Sequence, residues 1–125
     1  MPTVLIIEDS NFQRKILAKL IMDEGYHIYE ASNGKAGLEL IEEHQPDLIF
    51  CDLVMPELDG FKVLKNLQNK KSTIPVIVLT SDIQKPVREQ CIALGATAFI
   101  NKPANPAKIQ SALQKVFGAG LEKNS

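Results

Sequence analysis

The sequence lacks the features that mark several classes of protein. It has no tryptophan and no excess of charge, since 14 basic residues stand against 15 acidic ones. The near-neutral balance argues against nucleic acid as a direct ligand, because proteins that bind it usually carry a basic surplus. The two cysteines, Cys51 and Cys91, form neither a disulfide framework nor a metal-spaced cluster, which fits a reducing compartment.

Long apolar runs are also missing. No run approaches the roughly 18 residues that a membrane span requires, and residues 1–3 carry no basic segment of a signal peptide. We therefore expect a cytoplasmic protein without a membrane partner. The 125 residues are 45% hydrophobic and 23% charged, which predicts one globular domain. We place this domain at residues 1–120 and expect a flexible tail at 121–125, where the residues are mostly small or polar.

Short β-branched runs alternate with segments of helical period. The expected strands are Thr3–Ile7, Ile28–Glu30, Asp47–Cys51, Ile74–Leu79 and Thr97–Ile100. A helical segment follows each strand, and Ser10 with Gln13 forms the pattern of a capping box at the first helix. Five strand–helix pairs predict an α/β domain with a parallel sheet covered by helices on both faces.

Polar residues follow four of the five predicted strands. They are Glu8 and Asp9, Asp52, Thr80, and Lys102. Any one of them would be ordinary as a loop or cap residue. Because parallel strands end at the same edge of a sheet, we expect all of them to converge there. Their joint occurrence indicates a functional site.

The chemistry of this set points to a cation and a phosphoryl group. Two carboxylates about 4 Å apart repel by roughly 4 kcal/mol at an effective dielectric constant near 20, and Lys102 offsets only part of that charge. An all-oxygen set favours Mg²⁺ or Mn²⁺ over zinc. A hydroxyl and a lysine nearby are natural donors to phosphoryl oxygens. The set therefore predicts phosphoryl transfer to an aspartate.

Five motifs in order carry a resemblance to a known family. They are residues 6–10 (IIEDS), 51–56 (CDLVMP), 59–60 (DG), 79–81 (LTS) and 100–103 (INKP). With them the chain resembles the receiver domain of two-component response regulators, of the single-domain, CheY-like type, over residues 3 to 117. The resemblance implies a flavodoxin-like, doubly wound (βα)5 fold with strand order 2-1-3-4-5.

The resemblance also implies roles for the site residues. Asp52 is expected to accept a phosphoryl group from the phosphohistidine of a sensor histidine kinase or a histidine phosphotransfer protein. The expected Mg²⁺ ligands are Asp9, Asp52 and the backbone carbonyl of Val54, with Glu8 acting through water. Thr80 and Lys102 are expected to contact phosphoryl oxygens, and the Lys102–Pro103 peptide bond is expected to be cis.

The expected output is a switch in the surface formed by the fourth helix, fifth strand and fifth helix. Thr80 would move towards the phosphoryl group, and Phe99 would fill the space behind it; the alternative for Phe99 is an ordinary core position. The surface would then bind a downstream effector protein. We expect a stand-alone regulator, either a monomer or a phosphorylation-dependent dimer, whose only catalysis is its own phosphorylation and dephosphorylation.

Several alternatives remain at this stage. One is an aspartyl-phosphate hydrolase, which would need a second aspartate where Val54 stands. Another is a receiver-like module that binds partners without phosphorylation. The apolar Val54 suggests slow self-dephosphorylation, with Asp82 as the second position to test. Phe12 either contacts a histidine-bearing partner helix or packs inward.

Overall fold

The computed structural model describes residues 2–81 and 84–123, with the main chain only for 119–123. Five strands alternate with five helices. The strands are β1 (Thr3–Ile7), β2 (His27–Ala31), β3 (Leu48–Asp52), β4 (Val76–Thr80) and β5 (Ala98–Asn101). The helices are α1 (Asn11–Met22), α2 (Gly34–His44), α3 (Gly60–Asn69), α4 (Lys85–Ala93) and α5 (Pro106–Lys123).

All strand pairs are parallel, and the strand order is β2-β1-β3-β4-β5. This confirms the order expected from the resemblance. Ile7 of β1 pairs with Cys51 of β3, and Asp52 at the end of β3 pairs with Leu79 of β4. The carboxyl ends of the three central strands therefore lie side by side, which places their following residues at one edge of the sheet.

Alternate side chains of the strands enter two separate cores. On one face, residues such as Val4 and Ile6 pack with the buried side of α1 and α5, including Ile21 and Ile109. On the other face, Leu5 and the strand side chains that point in the same direction pack with α2, α3 and α4. Both faces of the sheet are thus covered, as the non-alternating apolar strands predict.

The first helix differs from its sequence-based prediction at its amino-terminal turn. Ser10 Oγ accepts a hydrogen bond from the main-chain N–H of Gln13 at 3.2 Å, so one half of the expected capping box forms. The side chain of Gln13 turns instead to Lys102. Two large apolar side chains of α1 remain exposed, Phe12 at 76% and Ile16 at 43%.

The last helix is broken at Gly118, where φ is 68° and the backbone leaves the helical region. α5 resumes and ends at Lys123. Asn124 and Ser125 lie outside the described residues, so the flexible tail expected at 121–125 stays a prediction. Asp82, singled out for dephosphorylation, also lies outside them. None of the described helices has both the length and the apolar character of a membrane span.

Candidate functional site

Three carboxylates gather at the carboxyl edge of the central strands. Asp52 is the last residue of β3, while Glu8 and Asp9 directly follow β1. Carboxylate oxygens from the three residues lie within 4.8 Å of one another. Glu8 and Asp52 are buried, at 1% and 5% exposure, whereas Asp9 is exposed. The convergence expected from the strand ends is therefore present.

Lys102, which follows the edge strand β5, brings a positive charge to this cluster. Its Nζ lies 2.8 Å from Glu8 Oε1 and 3.2 Å from Asp52 Oδ1. The main-chain N–H of Lys102 donates to the carbonyl of Thr80 at 2.8 Å, which ties the loop after β5 to the end of β4. The Lys102–Pro103 peptide bond is cis.

The pKa values of Lys102 and Glu8 depend on each other. Burial favours the neutral amine of Lys102, but the hydrogen bond to Glu8 and the charge of Asp52 outweigh it and raise the pKa of Lys102. Burial and the neighbouring carboxylate of Asp52 raise the pKa of Glu8 to about 7, although Lys102 opposes that shift. One lysine therefore does not balance the charge of the buried carboxylates.

The negative charge that Lys102 leaves unbalanced suits a divalent cation. Glu8 Oε2 is buried and has no hydrogen-bond partner within the described part of the chain. Such an atom is costly to bury unless a donor or a cation satisfies it. The cluster offers only oxygen ligands, a donor set that Mg²⁺ prefers. The residues of the cluster thus fit a magnesium ion.

A depression of about 300 Å³ opens above the cluster. Its wall includes Thr80, the buried last residue of β4, and Val54, which is 73% exposed. Ser10 and Ser81 also line it. Asp52 therefore lines a depression that a reactant can enter, together with three residues that carry hydroxyl groups.

The two predicted aromatic residues lie in different surroundings. Phe99, in the middle of β5, is partly buried against the core on the α2–α4 side, and the guanidinium carbon of Arg88 lies 5.6 Å from its ring centroid. Phe12 does not pack inward. It borders an apolar groove of about 390 Å³ that also contains Ile16, Pro103 and Ala104 and reaches Lys102.

Two residues of the site were missed from the sequence. Gln13 accepts a hydrogen bond from Lys102 Nζ at 2.8 Å, but its spacing from Ser10 had suggested a capping role. Arg14 donates through Nη1 to the carbonyl of Glu8 at 2.9 Å and pairs with Glu30 on β2. No sequence signal marks Arg14, because this contact depends on how α1 lies across β1 and β2.

The chain is similar to known proteins over almost its whole length. The family described as "Response regulator receiver domain" matches residues 4–114. The chemotaxis protein CheY of Thermotoga maritima is 34% identical over 114 residues, which cover 90% of this chain and 95% of that protein. The response regulator GtcR of Aneurinibacillus migulanus is 36% identical, but the chain spans only 49% of its length.

Solved structures share the same fold. CheY4 of Vibrio cholerae is 29% identical with a TM-score of 0.87, and the match covers 93% of this chain and 98% of that one. The CheX–CheY–BeF3–Mg²⁺ complex from Borrelia burgdorferi contains a chain that is 30% identical with a TM-score of 0.87. That match covers 92% of this chain and 88% of the other.

The family match, the full-length similarity to CheY and the shared strand order agree with the acidic edge described above. They confirm the resemblance that the five sequence motifs carried. The chain belongs to the response regulator receiver domain family.

Proposed function

We propose that this chain is a phosphorylation switch of a two-component or phosphorelay system. Asp52 accepts a phosphoryl group from the phosphohistidine of a sensor histidine kinase or a histidine phosphotransfer protein. The observation that carries the proposal is the buried Asp52, which lies beside the carboxylates of Glu8 and Asp9 and 3.2 Å from the ammonium of Lys102. Its catalysis is limited to its own phosphorylation and dephosphorylation, and it acts in the cytoplasm.

Magnesium is the proposed cofactor, with Mn²⁺ as a substitute. Asp9, Asp52 and the backbone carbonyl of Val54 would hold it directly, and Glu8 would act through water. When bound, the ion neutralises charge on the transferring phosphoryl group. The unpartnered Oε2 of Glu8 supports this assignment, and the related Borrelia complex contains Mg²⁺.

The proposed reaction is a substitution at phosphorus. A carboxylate oxygen of Asp52 forms the new P–O bond while the P–N bond to the donor histidine breaks, and the electron pair of that bond stays on the imidazole nitrogen. Lys102 offsets negative charge on the phosphoryl oxygens, and the hydroxyl of Thr80 donates to one of them. The protein thus contributes position and charge.

The apolar groove beside Lys102 is the proposed docking site for the phosphohistidine protein. Phe12 and Ile16 expose apolar surface on the first turns of α1, and Pro103 and Ala104 also line the groove. An exposed aromatic residue at such a groove is a suitable anchor for a partner helix. The groove lies next to the phosphoacceptor depression, and Glu8, Gln13, Ser81 and Lys102 line both.

The proposed output surface consists of α4, β5 and α5. A phosphoryl group adds about −1.5 to −2 charges and strong acceptor oxygens, which would draw Thr80 towards Asp52 and let Phe99 shift behind it. A groove of about 630 Å³ on this surface is lined by Arg88, Lys108 and Lys115. These cations suit an effector protein with an acidic patch, bound by a monomer or by a phosphorylation-dependent dimer.

Intact mass spectrometry after incubation with Mg²⁺ and acetyl phosphate tests the chemistry. The parent should gain one phosphoryl group, and Asp52→Asn should gain none. Asp23→Asn is a matched control, because Asp23 is exposed at the other end of α1 and should leave the modification unchanged. An Asp52→Asn protein that is modified as readily as the parent would contradict the proposal.

A pull-down with phosphorylated and unphosphorylated protein tests the switch. Phosphorylation should change which proteins are retained. Retention that is identical in both states, and in Asp52→Asn, would favour the phosphorylation-independent binding module instead. Turnover of a small phosphate ester, with release of free phosphate over many cycles, would favour the hydrolase.

A further inference from the structure

The ammonium of Lys102 donates two hydrogen bonds within the protein and forms a further ion pair. An ammonium group has three N–H bonds and no lone pair. Its Nζ lies 2.8 Å from Glu8 Oε1, 2.8 Å from Gln13 Oε1 and 3.2 Å from Asp52 Oδ1. A phosphoryl oxygen that binds Lys102 therefore competes with these acceptors for its N–H groups.

Gln13 differs from the other two acceptors in charge and in exposure. Glu8 and Asp52 are buried carboxylates, whereas Gln13 is an exposed, neutral amide on the first turn of α1. Hydrogen bonds from an ammonium to a carboxylate are stronger than those to a neutral oxygen. An exposed amide that loses its partner is also solvated at once, whereas a buried carboxylate is not. The bond to Gln13 is thus the easiest of the three to release.

We propose that Gln13 is a positioning residue that holds Lys102 while Asp52 is unphosphorylated and is displaced by the incoming phosphoryl group. The inference rests on the proposed function of Asp52. Gln13 sets the resting orientation of the ammonium and competes with the phosphoryl oxygens for one of its N–H groups. It makes no contact with the reacting atoms in this role.

The competition predicts opposite effects for two substitutions. Gln13→Met keeps the length of the side chain but removes the acceptor. One N–H group of Lys102 can then bind the phosphoryl group without first losing its hydrogen bond to Gln13. We expect a phosphorylation rate and an affinity for beryllofluoride about two- to tenfold higher, the factor typical of one hydrogen bond. Gln13→Glu supplies a charged competitor, and both quantities should fall by a similar factor. A residue that only supports the fold would lower both quantities in either variant.

The experiment combines three measurements on the full chain. Calorimetric titration with beryllofluoride at saturating Mg²⁺ gives the affinity for the phosphoryl analogue, and intact mass gives the rate with acetyl phosphate. Titration with Mg²⁺ alone should agree within about twofold between the parent and Gln13→Met, the scale of one exposed contact. In the metal-free protein, the Nζ resonance of Lys102 should shift in Gln13→Met, because its acceptor is gone.

Gln114→Met is the matched control, since Gln114 is exposed on α5 and should leave every measurement unchanged. Slower phosphorylation and weaker beryllofluoride binding in Gln13→Met would overturn the inference, and so would values equal to those of the parent. A parent that neither takes up phosphate nor binds beryllofluoride would instead overturn the proposed function, and the inference with it. The two failures are therefore distinct.

Discussion

Lys102 and Glu8 are 94 residues apart in the chain, yet Lys102 Nζ donates to Glu8 Oε1 at 2.8 Å. The contact joins the loop after β5 to the end of β1, across the two strands that lie between them in the sheet. Asp52 lies beside this contact, with its Oδ1 3.2 Å from Nζ. Lys102 therefore contacts both Glu8 and the proposed phosphoacceptor.

The raised pKa of Glu8 predicts how stability depends on pH in the metal-free protein. Its pKa is about 7 in the folded state against an ordinary value of 4.5, so the folded state holds a proton in this interval that the unfolded chain has released. The free energy of unfolding should therefore fall as the pH rises from 4.5 to 7, by about 3 kcal/mol in total. Urea unfolding in the presence of a chelator measures this. Glu8→Gln should flatten the slope, and an unchanged slope in that variant would show that Glu8 does not carry it.

Val54 is expected to make the aspartyl phosphate long-lived. It is 73% exposed on the wall of the depression and offers no polar side-chain atom to orient a hydrolytic water. Val54→Asn should therefore lose phosphate faster, by roughly two- to tenfold if one hydrogen bond to water is gained. Intact mass after removal of the phosphodonor follows the decay. Val54→Ala is the control and should decay like the parent; an asparagine variant that decays no faster would refute the expectation.

Phe12 should affect the rate of phosphoryl transfer from a protein donor but not from a small-molecule donor. Phe12→Ala removes the exposed ring from the groove beside Lys102, so transfer from a phosphohistidine protein that phosphorylates the parent should slow about tenfold or more, as for an interface anchor. The rate with acetyl phosphate should not change. Met22→Ala removes another exposed apolar side chain of α1 and should affect neither rate. Equal transfer rates for the parent and Phe12→Ala would exclude the groove as the docking site.

Gly60 packs closely against the main chain of the proposed phosphoacceptor, Asp52, and of Leu53. A Cβ at this position would lie 2.6 Å from the carbonyl oxygen of Asp52 and 2.8 Å from the Cα of Leu53, both main-chain atoms. Gly60→Ala should lower the free energy of unfolding by about 1–3 kcal/mol and slow phosphorylation by moving Asp52. Urea unfolding and intact mass measure the two effects.

The control for Gly60 is Gly25→Ala. Gly25 has φ of 96° and open space around its Cα, so alanine there strains the backbone far from the site. This variant should lose stability while the folded protein is phosphorylated at the parental rate. Equal slowing in both variants would mean that lost stability, and not the position of Asp52, causes the effect.

Much of the fold was predictable because its signals are local. The unbroken apolar runs of β1 and β4 predict strands buried on both sides, and the caps Asn33 and Asp59 start α2 and α3 as their residue types favour. The strand boundaries shifted by only one or two residues, as between the expected Asp47–Cys51 and the observed Leu48–Asp52. Strand order followed from the resemblance, because composition alone does not distinguish the permutations of five parallel strands.

The residues of the functional edge could be predicted from sequence, since each directly follows or ends an apolar strand and parallel strands share one carboxyl edge. The partners of Gln13 and Arg14 could not be predicted in this way, because both contacts depend on how α1 lies over the sheet. A capping box with Ser10 and a hydrogen bond to Lys102 compete for the same amide of Gln13. The charged lysine prevails because a partly buried, charged donor gains more from an acceptor than an exposed backbone N–H does.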